Sequence, residues 1–210
     1  RSTLLPYTTL FRSHDRGRVL DICDRIIDDP LLRPGKVVRW ECESRPEHID
    51  PRLIRLMALA GCTGVKVGLE TTDPELLCAL GRTHSEEEAA QYLARVRSLV
   101  RACARWGVSS RLYVMLGLPG QTQEMAHETD WLVMSVRPDT LTAKVYKPYP
   151  GLAFPNGASP SQDVPAQLRA LEVAQRTIAS GTRRRSSRLR LRLARTACAV
   201  SKALRHRGRR

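Results

Sequence analysis

The sequence predicts an α/β fold in which about four parallel strands alternate with helices. Each apolar strand segment is separated from the next by at least one helical segment, as is typical of parallel strands joined by right-handed crossovers. Two predicted strands, at 65–70 and 111–116, end in glycines and polar residues just before a helix, which is where βα-repeat proteins bind ligands. With 210 residues, 42% of them hydrophobic, the chain can bury one sizeable core.

The first predicted elements are a helix, a strand and a second helix. A stretch over 19–28 carries apolar residues on one helical face, and a strand over 37–44 follows it. Asp50 and Pro51 then begin a helix that ends at Gly61. Aspartate caps a helix N-terminus through its side chain, and proline suits the first helical position.

A strand over 65–70 and two helices come next. The first helix is short, beginning at Asp73 and ending at Gly81. The second begins at Ser85, which opens a capping box, and carries an apolar stripe at the helical period as far as Gly107.

The last predicted elements repeat the alternation. A strand over 111–116 leads into a helix that Thr122 caps and that ends before Pro138. The fourth strand covers 141–146. After a link rich in proline, glycine and serine, a further helix is predicted at about 164–180.

Side chains alternate between the two faces of each strand, and here the alternation separates apolar from polar residues. A closed barrel fills its interior with branched apolar side chains, so the polar face predicts a lined cavity. The alternative is an antiparallel sheet with one solvated face. The polar set comprises Arg39, Glu41, Glu43, Lys66, Gly68, Glu70, Arg111, Tyr113, Met115, Thr142, Lys144 and Tyr146.

Composition excludes several classes of protein. No apolar run approaches the ~20 residues of a membrane-spanning helix and no signal peptide is recognisable, so a cytoplasmic location is expected. The six cysteines include no Cys-x-x-Cys pair and no histidine at ligand spacing. We therefore predict no metal site in this chain, and we interpret the cysteines as small hydrophobic residues.

The net charge of +14 is concentrated at the C-terminus. Residues 183–210 contain twelve Lys and Arg and no acidic residue, whereas the rest of the chain has 23 basic and 21 acidic residues. Apolar residues in this segment recur on one stripe, which predicts a basic tail helix. Such a helix could dock on the protein's own domains, lie on an anionic membrane or contact nucleic acid.

The N-terminal segment has an unusual sequence. LLPYTTLFRS, at residues 4–13, resembles the translation of a sequencing-adapter oligonucleotide. We therefore predict that residues 1–13 are a non-native scar, exclude them from the fold, and expect natural sequence to begin near His14.

Four segments in order resemble radical S-adenosylmethionine (SAM) enzymes, in particular the group that often carries an N-terminal cobalamin-binding domain. The segments are WECESRPEHIDPRLIRLMALAGC, GVKVGLETTDPELLCALGR, YVMLGLPGQT and TAKVYKPYPG. The resemblance covers about residues 18–151 and implies a partial radical SAM barrel over 14–151. From composition and periodicity we expect a linker and helix over 152–182 and the basic tail over 183–210 to follow it.

This resemblance implies the C-terminal part, about four strands, of a partial (β/α)6 TIM-like barrel plus C-terminal helices. In the family, a Cys-x-x-x-Cys-x-x-Cys loop after the first strand holds a 4Fe-4S cluster, and SAM bound to it is cleaved reductively to a radical that attacks the substrate. The chain has no such triplet. Its strands match the family's third to sixth, so we expect the cluster loop to be missing from an N-terminally truncated chain.

The resemblance also implies which residues bind SAM. Polar residues at the ends of the first two strands match positions that face the ribose or the amino-acid end of SAM, while the glycine-rich strand end packs near adenine. Gln121 stands where many members have Glu. The implied SAM-binding residues are Glu41, Glu43, Ser44, Glu70, Thr71, Gly117, Leu118, Pro119 and Gly120.

Simpler explanations exist for these residues. The glutamates could serve only to form ion pairs with Arg39 or Lys66. A Pro-Gly turn is common at strand ends in any α/β fold. Near the last strand, Lys144 and its neighbours Tyr146 and Lys147 are candidates to contact an anionic group of a small-molecule substrate, with a solvated face as the alternative.

Two functions therefore follow from the sequence. The first is a radical SAM enzyme, present here as a fragment that alone is inactive, with SAM and a 4Fe-4S cluster as cofactors and cobalamin as a further cofactor of the parent protein. The second is a non-catalytic βα-fold module that contacts nucleic acid or an anionic membrane through its basic tail.

Overall fold

The structure is a computed structural model that describes residues 10–13, 15–29, 31, 38–148, 154, 164–165, 167–169, 171–176 and 178. Its described strands form one parallel sheet in the order β1 to β5. The strands are β1 (Leu10–Ser13), β2 (Trp40–Ser44), β3 (Cys62–Glu70), β4 (Ser109–Leu116) and β5 (Thr140–Val145). The predicted parallel α/β fold is confirmed, and the antiparallel alternative is wrong.

Helices connect the strands at the predicted places. They are α1 (Arg16–Asp28), α2 (Pro51–Leu59), α3 (Pro74–Ala79), α4 (Glu86–Trp106) and α5 (Gln123–Val136), with a short 3-10 helix at Pro46–His48. The predicted caps are confirmed, since the side chains of Asp50, Asp73, Ser85 and Thr122 each accept a hydrogen bond from a backbone N–H of the first turn. None of the described helices is long and apolar enough to cross a bilayer.

All four predicted strands differ from their predicted bounds, by three residues at the start of β2 and β3 and by one or two residues in β4 and β5. The strand predicted over 37–44 begins only at Trp40, and the strand predicted from Val65 begins at Cys62. The extension follows from Gly61, whose carbonyl accepts from the Trp40 N–H and so starts the pairing of the two strands early. Position 37 lies outside the described residues.

Excluding residues 1–13 from the fold was wrong for the last four of them. Leu10–Ser13 pairs in parallel with β2 as an edge strand, so five strands are found among the described residues where four were predicted. An open edge of unpaired backbone groups accepts a short extended segment without demanding a particular sequence. The pairing therefore does not test whether residues 1–13 are a non-native scar, which stays a prediction.

Beyond Pro148 the structure describes Phe154 and residues between 164 and 178. The described residues between 164 and 178 are helical and lie within the predicted helix. Leu171, Ala174 and Ile178 are buried in the main core. The predicted tail helix over 183–210 lies outside the described residues.

The core lies on the apolar face of the sheet. Val65, Val67 and Leu69 of β3 pack with Leu112 and the other apolar residues of β4 against the helices. Every residue of the predicted polar set is partly or fully exposed except Glu70, which is buried. The predicted separation of an apolar and a polar face is therefore present in the described strands.

Candidate functional site

The candidate site is the polar face of the sheet and the C-terminal ends of β2, β3 and β4. On this face Lys66 lies beside Glu43 in the strand register and donates to Glu41, with 2.9 Å between Nζ and Oε2. The alternative that a glutamate pairs with Lys66 is therefore realised at Glu41. Glu41 lies near the start of β2 and Lys66 in the middle of β3, so this ion pair is away from the C-terminal ends of the strands.

Glu70 ends β3 in an unusual backbone conformation. Its φ is 63°, and the pairing with β4 shifts register between Gly68 and Glu70. Such a bulge redirects a side chain relative to the regular alternation. A left-handed conformation at a residue with a long side chain carries a steric cost, and such sites are often functional.

Arg82 holds the redirected carboxylate. Its Nη2 lies 2.5 Å from Oε1 of Glu70, and the two side chains are 30% and 10% exposed. Burial raises the pKa of the Glu70 carboxyl, an effect that Arg82 and Lys144 oppose and that Glu43 reinforces. Glu70 thus sits among two cations and a second carboxylate, and the predicted alternative partners of the glutamates did not include Arg82.

Gly68 and Tyr92 complete this pair's surroundings. A Cβ at Gly68 would overlap Oε1 of Glu70, so the glycine provides the space in which the carboxylate lies. From α4, the Tyr92 hydroxyl donates to the Gly68 carbonyl at 2.6 Å. Burial raises the pKa of the Tyr92 phenol, which keeps it a donor. The sequence placed Gly68 on the polar face without giving it a role, and Tyr92 was not recognised as part of the site.

Thr71 and Ser44 are buried at the strand ends. Thr71 is 0% exposed, and its hydroxyl accepts from the Asp73 N–H at 3.2 Å. The neighbouring Thr72 donates its N–H to the hydroxyl of Thr129 in α5, and the two hydroxyls are also hydrogen-bonded to each other. Ser44 donates to the Arg45 carbonyl at 3.1 Å. Their hydrogen bonds hold the backbone in place where β2 and β3 end.

Residues 117–121, which we call the glycine loop, follow β4. Gly117 and Gly120 have φ of 71° and 80°, conformations that favour glycine. Gln121 braces the loop, because its Oε1 accepts from the Leu118 N–H at 3.2 Å and its Nε2 donates to the Met115 carbonyl at 3.3 Å. Gln121 thus acts as an internal brace of the glycine loop.

We expect Gln121→Glu to destabilise the protein by about 1–2 kcal/mol at pH 8 and much less at pH 4. An ionised carboxylate cannot donate to the Met115 carbonyl, and burial raises the pKa of a carboxyl in this position. A raised folded-state pKa means that stability is retained at low pH and lost as pH rises through that pKa. Urea unfolding at both pH values measures the difference.

Gln123→Glu is the control for this change, because Gln123 is exposed in the first turn of α5. A negative charge there is favourable to the helix. Equal losses of stability for Gln121→Glu at the two pH values would contradict the bracing role.

Lys144 and Tyr113 lie beside each other on the polar face. The Lys144 ammonium is 5.1 Å from the centre of the Tyr113 ring, within the range of a cation–π contact. Lys144 is exposed, as is Lys147, while Tyr146 stacks edge-on against Phe154. A contact of these residues with an anionic substrate group stays a prediction.

The described cysteines do not fit a 4Fe-4S cluster. Four of them converge in the core from separate elements, where the hydrogen bond with Cys62, followed by burial, raises the pKa of the Cys42 thiol. Cluster ligands must be thiolates reachable by the iron. No group of three or more potential ligands in the described part of the chain could hold a metal ion. The converging cysteines are Cys23, Cys42, Cys62 and Cys103.

The structure thus brings together part of the predicted SAM-binding set. Glu43 contributes to the electrostatics of Glu70, and the strand bearing Glu70 is paired with the strand that leads into the glycine loop. Glu41 is separate, since it pairs with Lys66. Sequence reasoning missed Arg82 and Tyr92. Only the GR dipeptide at 81–82 carried a signal, as a charged residue after a helix stop.

The chain is similar to known proteins over this same region. The Radical SAM superfamily matches residues 12–132. A stretch of 114 residues is 36% identical to an uncharacterized protein of Methanopyrus kandleri, covering 51% of this chain and 20% of that protein. A stretch of 112 residues is 29% identical to the tryptophan 2-C-methyltransferase of Streptomyces laurentii, covering 53% of this chain and 18% of that protein.

A solved structure has a similar fold. It is the radical S-adenosylmethionine methyltransferase TsrM from Kitasatospora setae with cobalamin and a 4Fe-4S cluster bound. The TM-score is 0.51 at 25% identity, covering 62% of this chain and 24% of that one. The chain spans only a small part of each of these three relatives.

Proposed function

The chain belongs to the radical SAM superfamily, and on this premise we propose that it forms the SAM-binding side of a radical SAM enzyme. The family uses SAM and a 4Fe-4S cluster, and the structural relative binds cobalamin as well. One observation carries the proposal. Glu70, which pairs with Arg82, is the last residue of β3, and the glycine loop follows the neighbouring strand β4.

SAM has groups that complement both features. Its amino-acid end carries an ammonium and a carboxylate, which suit a carboxylate such as Glu70 or Glu43 and a guanidinium such as Arg82. Its adenine is flat, and a loop with glycines allows a ring to approach the backbone closely. We assign the ribose and amino-acid end to the ends of β2 and β3, and adenine to the glycine loop.

The remainder of the reaction belongs to the parent protein. Because the described cysteines do not fit a cluster and the sequence lacks the triplet, we propose that the cluster ligands lie outside this chain. The chain alone then binds SAM without cleaving it. Cobalamin, an N-terminal cobalamin-binding domain and a small-molecule substrate are part of the same proposal, as is a cytoplasmic location.

Binding of SAM to the chain tests the proposal. Equilibrium dialysis with methyl-labelled SAM should detect binding, and Glu70→Gln should weaken it at least about tenfold, the cost of losing a charge-assisted hydrogen bond. Glu86→Gln, at an exposed position of α4, is the control and should bind as the unchanged protein does. Absence of binding, or equal binding by all three proteins, would refute the proposal.

We further expect no stable cluster after anaerobic reconstitution with iron and sulfide. The four converging cysteines are buried. Burial raises the pKa of the Cys23 and Cys103 thiols, and the hydrogen bond with Cys62, followed by burial, raises the pKa of the Cys42 thiol, so these do not present thiolates to iron. Visible absorbance together with iron and sulfide analysis measures the outcome. A cluster bound through three cysteines would show that this chain contains the ligands after all.

The second function predicted from the sequence depends on the basic tail, which lies outside the described residues. It therefore stays a prediction. Phosphate binding through the tail would weaken steeply with salt, whereas binding of SAM at the strand ends would depend on Glu70.

A further inference from the structure

We propose that Gln167 is a positioning residue that holds the glycine loop in its SAM-binding conformation. Its Oε1 accepts from the Gly117 N–H at 3.0 Å, across 50 residues of sequence. The inference rests on the proposed function for its ligand, SAM, but the hydrogen bond itself can be tested without SAM.

Gly117 needs this partner because the sheet no longer supplies one. The pairing of β4 with β5 ends at Leu116 and Val145. Tyr146, the residue after β5, donates its N–H to the Leu116 carbonyl and provides no acceptor for Gly117 in this hydrogen bond. Gly117 is buried, and a buried N–H without an acceptor costs free energy. The first two N–H groups of the glycine loop are thus both bound by glutamine side chains, from Gln167 and Gln121.

The chemistry of Gln167 argues against a role in helix packing alone. Its side chain is 2% exposed and lies on a helical stretch whose other buried residues include Leu171 and Ala174. The Gly117 N–H fixes which end of the amide is the oxygen. The Nε2 end is buried and has no hydrogen-bond partner among the described residues. An apolar side chain would bury without that cost, so the bond to Gly117 is what glutamine provides.

Gln167 lies beyond the region that matches the family, which ends at residue 132. The helical stretch that contains Gln167 is therefore part of the SAM site through the Gly117 N–H.

Gln167→Met tests the proposal, with Gln175→Met as the matched control. Gln175 lies on the same stretch, but its Nε2 donates to the Leu141 carbonyl of β5 at 3.2 Å. Each change removes one amide-to-backbone hydrogen bond from this stretch, and only the first affects the glycine loop. We expect Gln167→Met to speed amide exchange of Gly117, measured by NMR, and to raise the Kd for SAM, each about tenfold.

At a pH low enough to keep the buried carboxyl protonated, Gln167→Glu should restore both values, because its carbonyl oxygen accepts as the amide oxygen does. Unchanged exchange at Gly117 in Gln167→Met, or equal effects of the methionine changes at Gln167 and Gln175, would overturn the proposal. If Gln167→Met does not fold, the unchanged protein decides, since Gly117 must exchange more slowly than the exposed Gly120. Failure of the unchanged protein to bind SAM would refute the proposed function while leaving the exchange result to judge Gln167.

Discussion

Arg82→Met should lower the free energy of unfolding by about 3 kcal/mol at pH 8 and by much less at pH 4. Methionine retains most of the aliphatic stem of arginine, so the change mainly removes the guanidinium. Glu70 then remains as a buried carboxylate without its bound cation. Removing one partner of a buried pair is costly because the other charge is left uncompensated.

The pH dependence follows from the pKa of Glu70. Burial already raises this pKa in the folded protein despite Arg82, and loss of Arg82 raises it further. A carboxyl with a raised folded-state pKa binds its proton more tightly when folded. Its contribution to stability is therefore fully present below the unfolded-state pKa of about 4.3 and is lost as pH rises through the folded-state pKa. The variant should thus approach the unchanged protein as pH falls.

Urea unfolding across this pH range measures the effect, and a double-mutant cycle identifies its cause. Adding Glu70→Gln to Arg82→Met removes the uncompensated charge, so the double variant should be more stable at pH 8 than Arg82→Met alone. A loss that does not vary with pH, or that the second change leaves unaltered, would assign the cost to lost packing of Arg82.

Periodicity alone predicted the alternation of elements and the two faces of the sheet. Cap residues such as Asp50 and Thr122 act through contacts a few positions away, so sequence spacing is enough to place the helix starts. The polar face could be predicted because side chains alternate strictly along a regular strand. Both signals are local, and both are found in the described structure.

The details of the site depend on contacts that are not local. The bulge at Glu70 breaks the alternation that the prediction relied on, and nothing in the strand's own sequence marks it except the small Gly68. The partner of Glu70 lies after a helix, at Arg82, and the partner of Gly117 is 50 residues away. The convergence of cysteines from separate elements likewise arises only from packing.

Gly61→Ala should destabilise the protein by about 3 kcal/mol. Gly61 connects α2 to β3 with φ of +86°, and a Cβ there would overlap the carbonyl oxygen of Val38. That oxygen belongs to backbone next to β2, and the Gly61 carbonyl accepts from the Trp40 N–H. Relief of the overlap therefore requires the two chain segments to separate just where the pairing of β2 with β3 begins.

Gly81→Ala separates this overlap from the cost of the backbone conformation. Gly81 also has positive φ, +63°, but a Cβ there meets nothing within 4 Å. It should therefore cost only about 1 kcal/mol, the penalty of a left-handed conformation for alanine. Chemical unfolding of both variants gives the comparison, and the excess loss at Gly61 measures the contact with Val38. Equal losses would mean that the turn relaxes freely, and that the early start of β3 does not depend on this close approach.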